Sequence, residues 1–150
     1  MSVDDFKITK ETRRVRFHLS DGTIVTGEVY VGLCDPHHSG PQRVGELLNS
    51  SITFIPARTP RGMQLLNLTH LVTAEVPAAS EVDELLLLGE KRQITVQLAR
   101  GRELVGEIYV SLPEGSRASD YFGRAQRFYP MFCGNTLTYI NQNFIVWIQD

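Results

Sequence analysis

Residues 15–31 read VRFHLSDGTIVTGEVYV, and residues 94–110 read ITVQLARGRELVGEIYV. A shift of 79 lays one on the other. Leu19, Gly22, Gly27, Glu28, Tyr30 and Val31 then meet identical residues, and Val15, Val25 and Val29 meet Ile94, Leu104 and Ile108. A fixed spacing held over so many positions is the mark of an internal repeat. The match extends outward on both sides. Val3-Asp4-Asp5-Phe6 falls on Val82-Asp83-Glu84-Leu85 at the same shift. After one five-residue gap the shift becomes 74 and holds to the end: Arg43 meets Arg117, Glu46 meets Asp120, Phe54-x-Pro56 meets Phe128-x-Pro130, and Asn67 meets Asn141. The chain reads as a tandem duplication, with one copy in residues 1–76, a linker at 77–81 and the second copy in residues 82–150.

Each copy reads as strands. Val15, Phe17 and Leu19 alternate with Arg16, His18 and Ser20, and Ile94, Val96 and Leu98 alternate with Thr95, Gln97 and Ala99. A period of two is expected where one face of a strand meets a core. Ser20-Asp21-Gly22-Thr23 predicts a hairpin turn with Gly22 at positive φ, and Arg100-Gly101-Arg102 is its partner. The second strand of each hairpin holds a glycine, Gly27 or Gly106, which calls for a sharp bend or the close approach of another backbone. One helical turn is expected at 43–48 and another at 117–122, each with an i,i+3 ion pair. Short strands follow at 52–56 and 127–130. Two more strands close each copy, around Asn67 and around Asn141-Gln142-Asn143, where asparagine tolerates the left-handed conformation of a tight turn. Ser80 is a candidate cap for a short helix through Glu84, with Asp83 completing a capping box; residues 82–88 read equally well as helix or strand.

This order of elements resembles the Sm-like small barrel, and SH3-like barrels share much of the pattern. The residues that carry the resemblance are Phe17-His18-Leu19-Ser20-Asp21-Gly22 with Gly27-Glu28-Val29, Val96 to Gly101 with Gly106-Glu107-Ile108, and Ile140-Asn141-Gln142-Asn143-Phe144-Ile145. It implies an all-β chain of two tandem small barrels packed as a pseudo-symmetric pair, with short helical turns, of a bacterial kind. It also implies where RNA would bind, through an Arg-Gly pair. That pair is Asn141-Gln142 in the second copy and Asn67-Leu68 in the first. The acidic residue expected after the second strand is absent too, with Leu33 and Leu112 near its place. The resemblance therefore speaks for the fold and against the usual RNA-binding function.

Composition narrows the function further. With 42% hydrophobic and 21% charged residues the chain is globular, and a formal charge of −2 gives no general pull toward nucleic acid or an acidic membrane surface. Its longest apolar run, Leu85 to Leu88, is far short of the roughly 20 residues that cross a bilayer. The opening MSVDDFKITK has no apolar core of a signal peptide, so a cytoplasmic location is expected, with Cys34 and Cys133 as free thiols. A single apolar-walled copy of about 70 residues is small for independent stability, which predicts that the two pack together.

Candidate sites are few. Cys34, His37 and His38 sit in one loop and can supply zinc ligands, with Asp35, His18 or His70 as a fourth, or can simply be solvated polar residues; no metal or other cofactor is expected. Arg117, Arg124 and Arg127 lie beside Tyr121, Phe122, Phe128 and Tyr129, a pattern that suits phosphate contact with base stacking or a solvated rim over a core. Glu28 with Tyr30, and Glu107 with Tyr109, alternate with the apolar face and should point outward, toward another copy or another protein. No nucleophile elbow, glycine-rich phosphate loop or catalytic carboxylate pair is present, so an enzyme is not expected, nor a small-molecule substrate. The expected function is a non-catalytic binding or assembly module, with loops 32–42 and 112–117 as contact surfaces. The rival expectation is a divergent RNA-binding protein.

Overall fold

A computed structural model describes residues 10–32, 40–82, 87–110, 118–123 and 125–150. Among these residues the chain forms ten strands in one antiparallel sheet. The strands are β1 (Lys10–Leu19), β2 (Ile24–Gly32), β3 (Phe54–Thr59), β4 (Gly62–Asn67), β5 (Leu71–Pro77), β6 (Glu90–Leu98), β7 (Glu103–Val110), β8 (Phe128–Cys133), β9 (Thr136–Asn141) and β10 (Ile145–Gln149). Two one-turn helices, α1 (Val44–Leu48) and α2 (Ala118–Phe122), precede β3 and β8. The order across the sheet is β10-β6-β7-β8-β9-β5-β1-β2-β3-β4. No helix among the described residues is long and apolar enough to cross a membrane.

The hairpins form for the reasons legible in the residues. In β1, Val15 and Phe17 are buried while Arg14 and Arg16 are exposed, the alternation of a strand with one face on a core. Gly22 sits at φ +89° in the first hairpin turn and Gly101 at φ +82° in the second, where Arg100 is also left-handed at φ +67°. Val15 lies opposite Gly27, as Ile94 lies opposite Gly106. These glycines are required by crowding. A Cβ on Gly27 would come within 2.8 Å of the Arg58 carbonyl oxygen, and one on Gly106 would run into that of Phe132. β2 meets β3 at the single pair Glu28–Arg58, and β7 meets β8 at the single pair Glu107–Phe132.

Ladder by ladder, the pairings of β1–β5 carry over to β6–β10. Phe54 faces Asn67 and Phe128 faces Asn141; Leu19 faces Leu71 and Leu98 faces Ile145. Both β1–β5 and β6–β10 have a register shift at that same place. Asn67 and Asn141 correct the expectation of left-handed turns. Both are extended, at φ −75° and −69°, and each side chain accepts the amide two residues on, capping the short 3-10 turns Leu68–His70 and Gln142–Phe144. Arg43 and Glu46 form the expected i,i+3 pair at 3.9 Å; Arg117 lies outside the described residues. Ser80 does not cap a helix. It ends a 3-10 turn, Ala78–Ser80, and its hydroxyl donates back to the Pro77 carbonyl, while residues 83–86 lie outside the described residues.

The ten strands form one antiparallel sheet that is not closed. Within neither half is a ladder formed between the outer strands, β5 with β4 or β10 with β9, because β5 pairs instead with β9 of the other half. The halves share this joint rather than facing each other through the glycine-bearing strands. Burial follows the joint. One core cluster holds Val15, Phe17, Val29 and their neighbours but also takes Phe128, Leu137 and Tyr139 from the second half; the other is built on Ile94, Val96, Leu98 and Ile108.

Candidate functional site

The joint is made by a ladder of five facing pairs, Thr73–Ile140 through Pro77–Thr136, and by polar groups that close around it. Asn49, at the end of α1, donates its amide to the Phe128 carbonyl at 3.1 Å and accepts the Phe128 N–H at 2.8 Å, extending the pairing by a side chain. Arg127 donates to the Ile52 carbonyl at 3.1 Å. The Asn141 amide donates to the carbonyls of Leu68 and Leu71. Glu81, in the segment that connects the halves, is fully buried and accepts from the Val44 and Gly45 amides and the Tyr139 hydroxyl. Burial pushes its carboxyl above the usual range, and those three donors pull it part of the way back. Gly45 is small because Tyr139 lies against it: a Cβ there would sit 2.5 Å from Tyr139 Cε1.

The residues singled out from the sequence do not converge on one site. Glu28 is exposed and Tyr30 half-buried, and the Arg58 guanidinium lies 5.7 Å from the Tyr30 ring centre, a cation–π contact. Glu107 pairs with Lys91 at 3.0 Å, and Tyr109 meets Phe132 edge-on with ring centres 5.5 Å apart. All four point away from the core face, as their alternation predicts, but none lies in the joint between the halves. Arg127 lies at the joint, where its Nη1 donates to the Ile52 carbonyl. Arg117, Arg124, Cys34, His37, His38 and most of the two expected contact loops lie outside the described residues.

The remaining polar clusters are engaged within the fold. His18 and Arg102 both reach Glu75, at 3.4 and 3.2 Å, and Arg102 also donates to Thr73 at 2.8 Å. A hollow of about 220 Å³ opens between the two hairpin turns, walled by Leu19, Ile24, Val72 and Phe144, with Arg100 and Arg102 both lining it; Arg102 is held by Glu75 and Thr73. Ser20 and His70 hydrogen-bond each other at 3.0 Å. No group of three metal-ligating side chains occurs among the described residues. Burial pushes the Cys133 thiol up, away from nucleophilic use.

What remains is the two ends of the sheet. Among the described residues, β4 and β10 each have a single neighbour. Five of the nine exposed large apolar side chains among the described residues, Phe54, Met63, Leu65, Val146 and Trp147, lie on these two strands or on β3 beside β4. Neither Gly62–Asn67 nor Ile145–Gln149 carries a charge or a proline, the residues that natural edge strands use to refuse partners. Sequence reasoning missed the joint and its ends; the signal available was Leu137-Thr138-Tyr139-Ile140, a run of residues common in strands with no charge on either face, which fits burial on both. No known protein family, curated protein or solved structure matches this chain.

Proposed function

We propose that this chain is a non-catalytic binding and assembly module, a tandem duplication of an Sm-like unit that recruits protein through the open ends of its sheet. The carrying observation is the coincidence of unpaired backbone and exposed apolar side chains at β4 and β10. An edge of unpaired N–H and C=O groups templates the addition of another strand. The joint between β5 and β9 is such a contact already made once within the chain. RNA is the weaker occupant, because the net charge of −2 gives the chain no general attraction for a polyanion.

The test is the absorbance ratio of the purified protein, followed by light scattering over a wide concentration range with and without single-stranded RNA at low salt. The reading expects protein free of nucleic acid whose mass exceeds the 16.9 kDa monomer or which captures a protein partner. A clean monomer with no partner in a pull-down overturns it. Mass gained only when RNA is added replaces it with the RNA-binding reading.

A further inference from the structure

We infer that the hollow between the two hairpin turns is a binding site for a small carboxylic acid whose apolar body is about the size of one ring. The site uses no residue of β4 or β10, so a monomer carries it as well as an assembly does. Its walls come from both halves. Leu19, Ile24 and Val72 belong to the first, and Phe144 comes from the 3-10 turn before β10. Ligand sites favour such seams between structural units. Ile24 leaves 49% of its surface to water, apolar area that a ligand body would cover. A dry cavity of about 150 Å³ holds a benzene ring, so the 220 Å³ here has space for a ring and a short arm.

The charge of the lining decides the head group. Arg100 and Arg102 line the hollow, and no acidic side chain among the described residues does. Thr73 and Glu75 take two of the five N–H groups of Arg102, and Glu75 offsets its charge. Arg100 is exposed at the mouth and makes no hydrogen bond or ion pair among the described residues. Its charge reaches Asp21, whose carboxylate already accepts the Thr23 amide at 2.9 Å. One uncompensated guanidinium beside apolar walls suits a single planar anion, which it can meet with two parallel hydrogen bonds. A phosphate dianion would bring a second charge that nothing here offsets.

The repeat does not impose these arginines. At a shift of 79, Asp21 and Thr23 stand where the second half has Arg100 and Arg102. Both turns reverse on a glycine, Gly22 at φ +89° and Gly101 at φ +82°, but the second also holds Arg100 in the left-handed region at φ +67°. Glycine would adopt that conformation without penalty. Side chains kept in such conformations cluster at ligand sites.

The experiment titrates the isotope-labelled full chain with phenylacetate and with hexanoate, and follows its backbone amides by NMR. Saturable shifts are expected at residues 99–102, at Ile24 and at Phe144, with a Kd of about 1 mM or tighter. Phenylethanol, with the same body and no charge, should bind about tenfold more weakly or worse, and phenylethylamine should not bind. Arg100→Gly removes the guanidinium and keeps the left-handed turn without strain. Its thermal midpoint should match that of wild type, while its Kd for phenylacetate should rise about tenfold or more, as when a charged hydrogen bond is lost. The inference is overturned by no saturable shift with either acid, or by shifts confined to other residues. Equal binding of phenylethanol, or an unchanged Kd in Arg100→Gly, overturns it too.

Discussion

The hydroxyl of Tyr139 in β9 donates a 2.6 Å hydrogen bond to Oε1 of Glu81, in the segment that connects the two halves, and both residues are buried. One carboxylate thus ties the connecting segment to the amides of Val44 and Gly45 and to a strand of the second half. Tyr139→Phe removes one bond to this acceptor and should cost about 1.5–3 kcal/mol in urea unfolding. The pH dependence has a definite sign. The folded carboxyl titrates above its ordinary 4.5, so the folded state holds a proton that the unfolded chain releases. Its contribution is greatest below 4.5 and is lost as pH rises through the folded value. Glu81→Gln lacks this titration. The stability advantage of wild type over Glu81→Gln should therefore shrink as pH rises; a constant gap between about pH 4 and pH 8 rules the assignment out.

Gly45 tests the fit of the same tyrosine. Gly45→Ala places a methyl group against the Tyr139 ring, and overpacking of this kind costs about 1–3 kcal/mol. Tyr139→Leu should relieve the clash, so the double variant is less destabilised than the sum of the singles. Additive losses in a double-mutant cycle would show that the two residues do not limit each other.

The hairpins, the faces of β1 and β6, and the two one-turn helices were legible because each depends on residues near in sequence. Phe17 and Val96 face cores since their neighbours are polar, and Gly22 turns because little else does so at positive φ. Gly27 and Gly106 were legible as special but not as to cause; Arg58 and Phe132, whose carbonyls crowd them, come from a strand that is distant in sequence. The joint was not legible. Strand addition is made by backbone groups, which every residue carries alike, so nothing in Leu71–Pro77 names Thr136–Asn141 as its partner. Glu81 shows the same limit. It reads as a solvated linker residue and becomes buried because α1 and Tyr139 arrive with three donors. Tyr30, Tyr109, Glu28 and Glu107 were read correctly as outward-facing, since alternation fixes orientation and says nothing about what lies beyond.

His18 reports the polar cluster beside the joint. Burial and then the Arg102 charge lower its pKa from 6.5, with Glu75 opposing them. Arg102→Met should raise the His18 pKa, and Glu75→Gln should lower it, in an NMR titration of the imidazole ring. The stability consequence follows from the sign. Below 6.5 the unfolded chain takes up a proton that folded His18 resists, so stability falls as pH drops from 6.5 through the folded value. A ring pKa indifferent to Arg102→Met defeats the account.

Asn49 imitates a strand by meeting both the N–H and the C=O of Phe128. Asn49→Ala leaves that pair to solvent and should cost about 1–3 kcal/mol. Asn49→Asp keeps the acceptor but sets a carboxylate oxygen against the Phe128 carbonyl, so it should destabilise at least as much as alanine. Finding Asn49→Asp as stable as wild type in chemical unfolding would show that the donated bond contributes nothing.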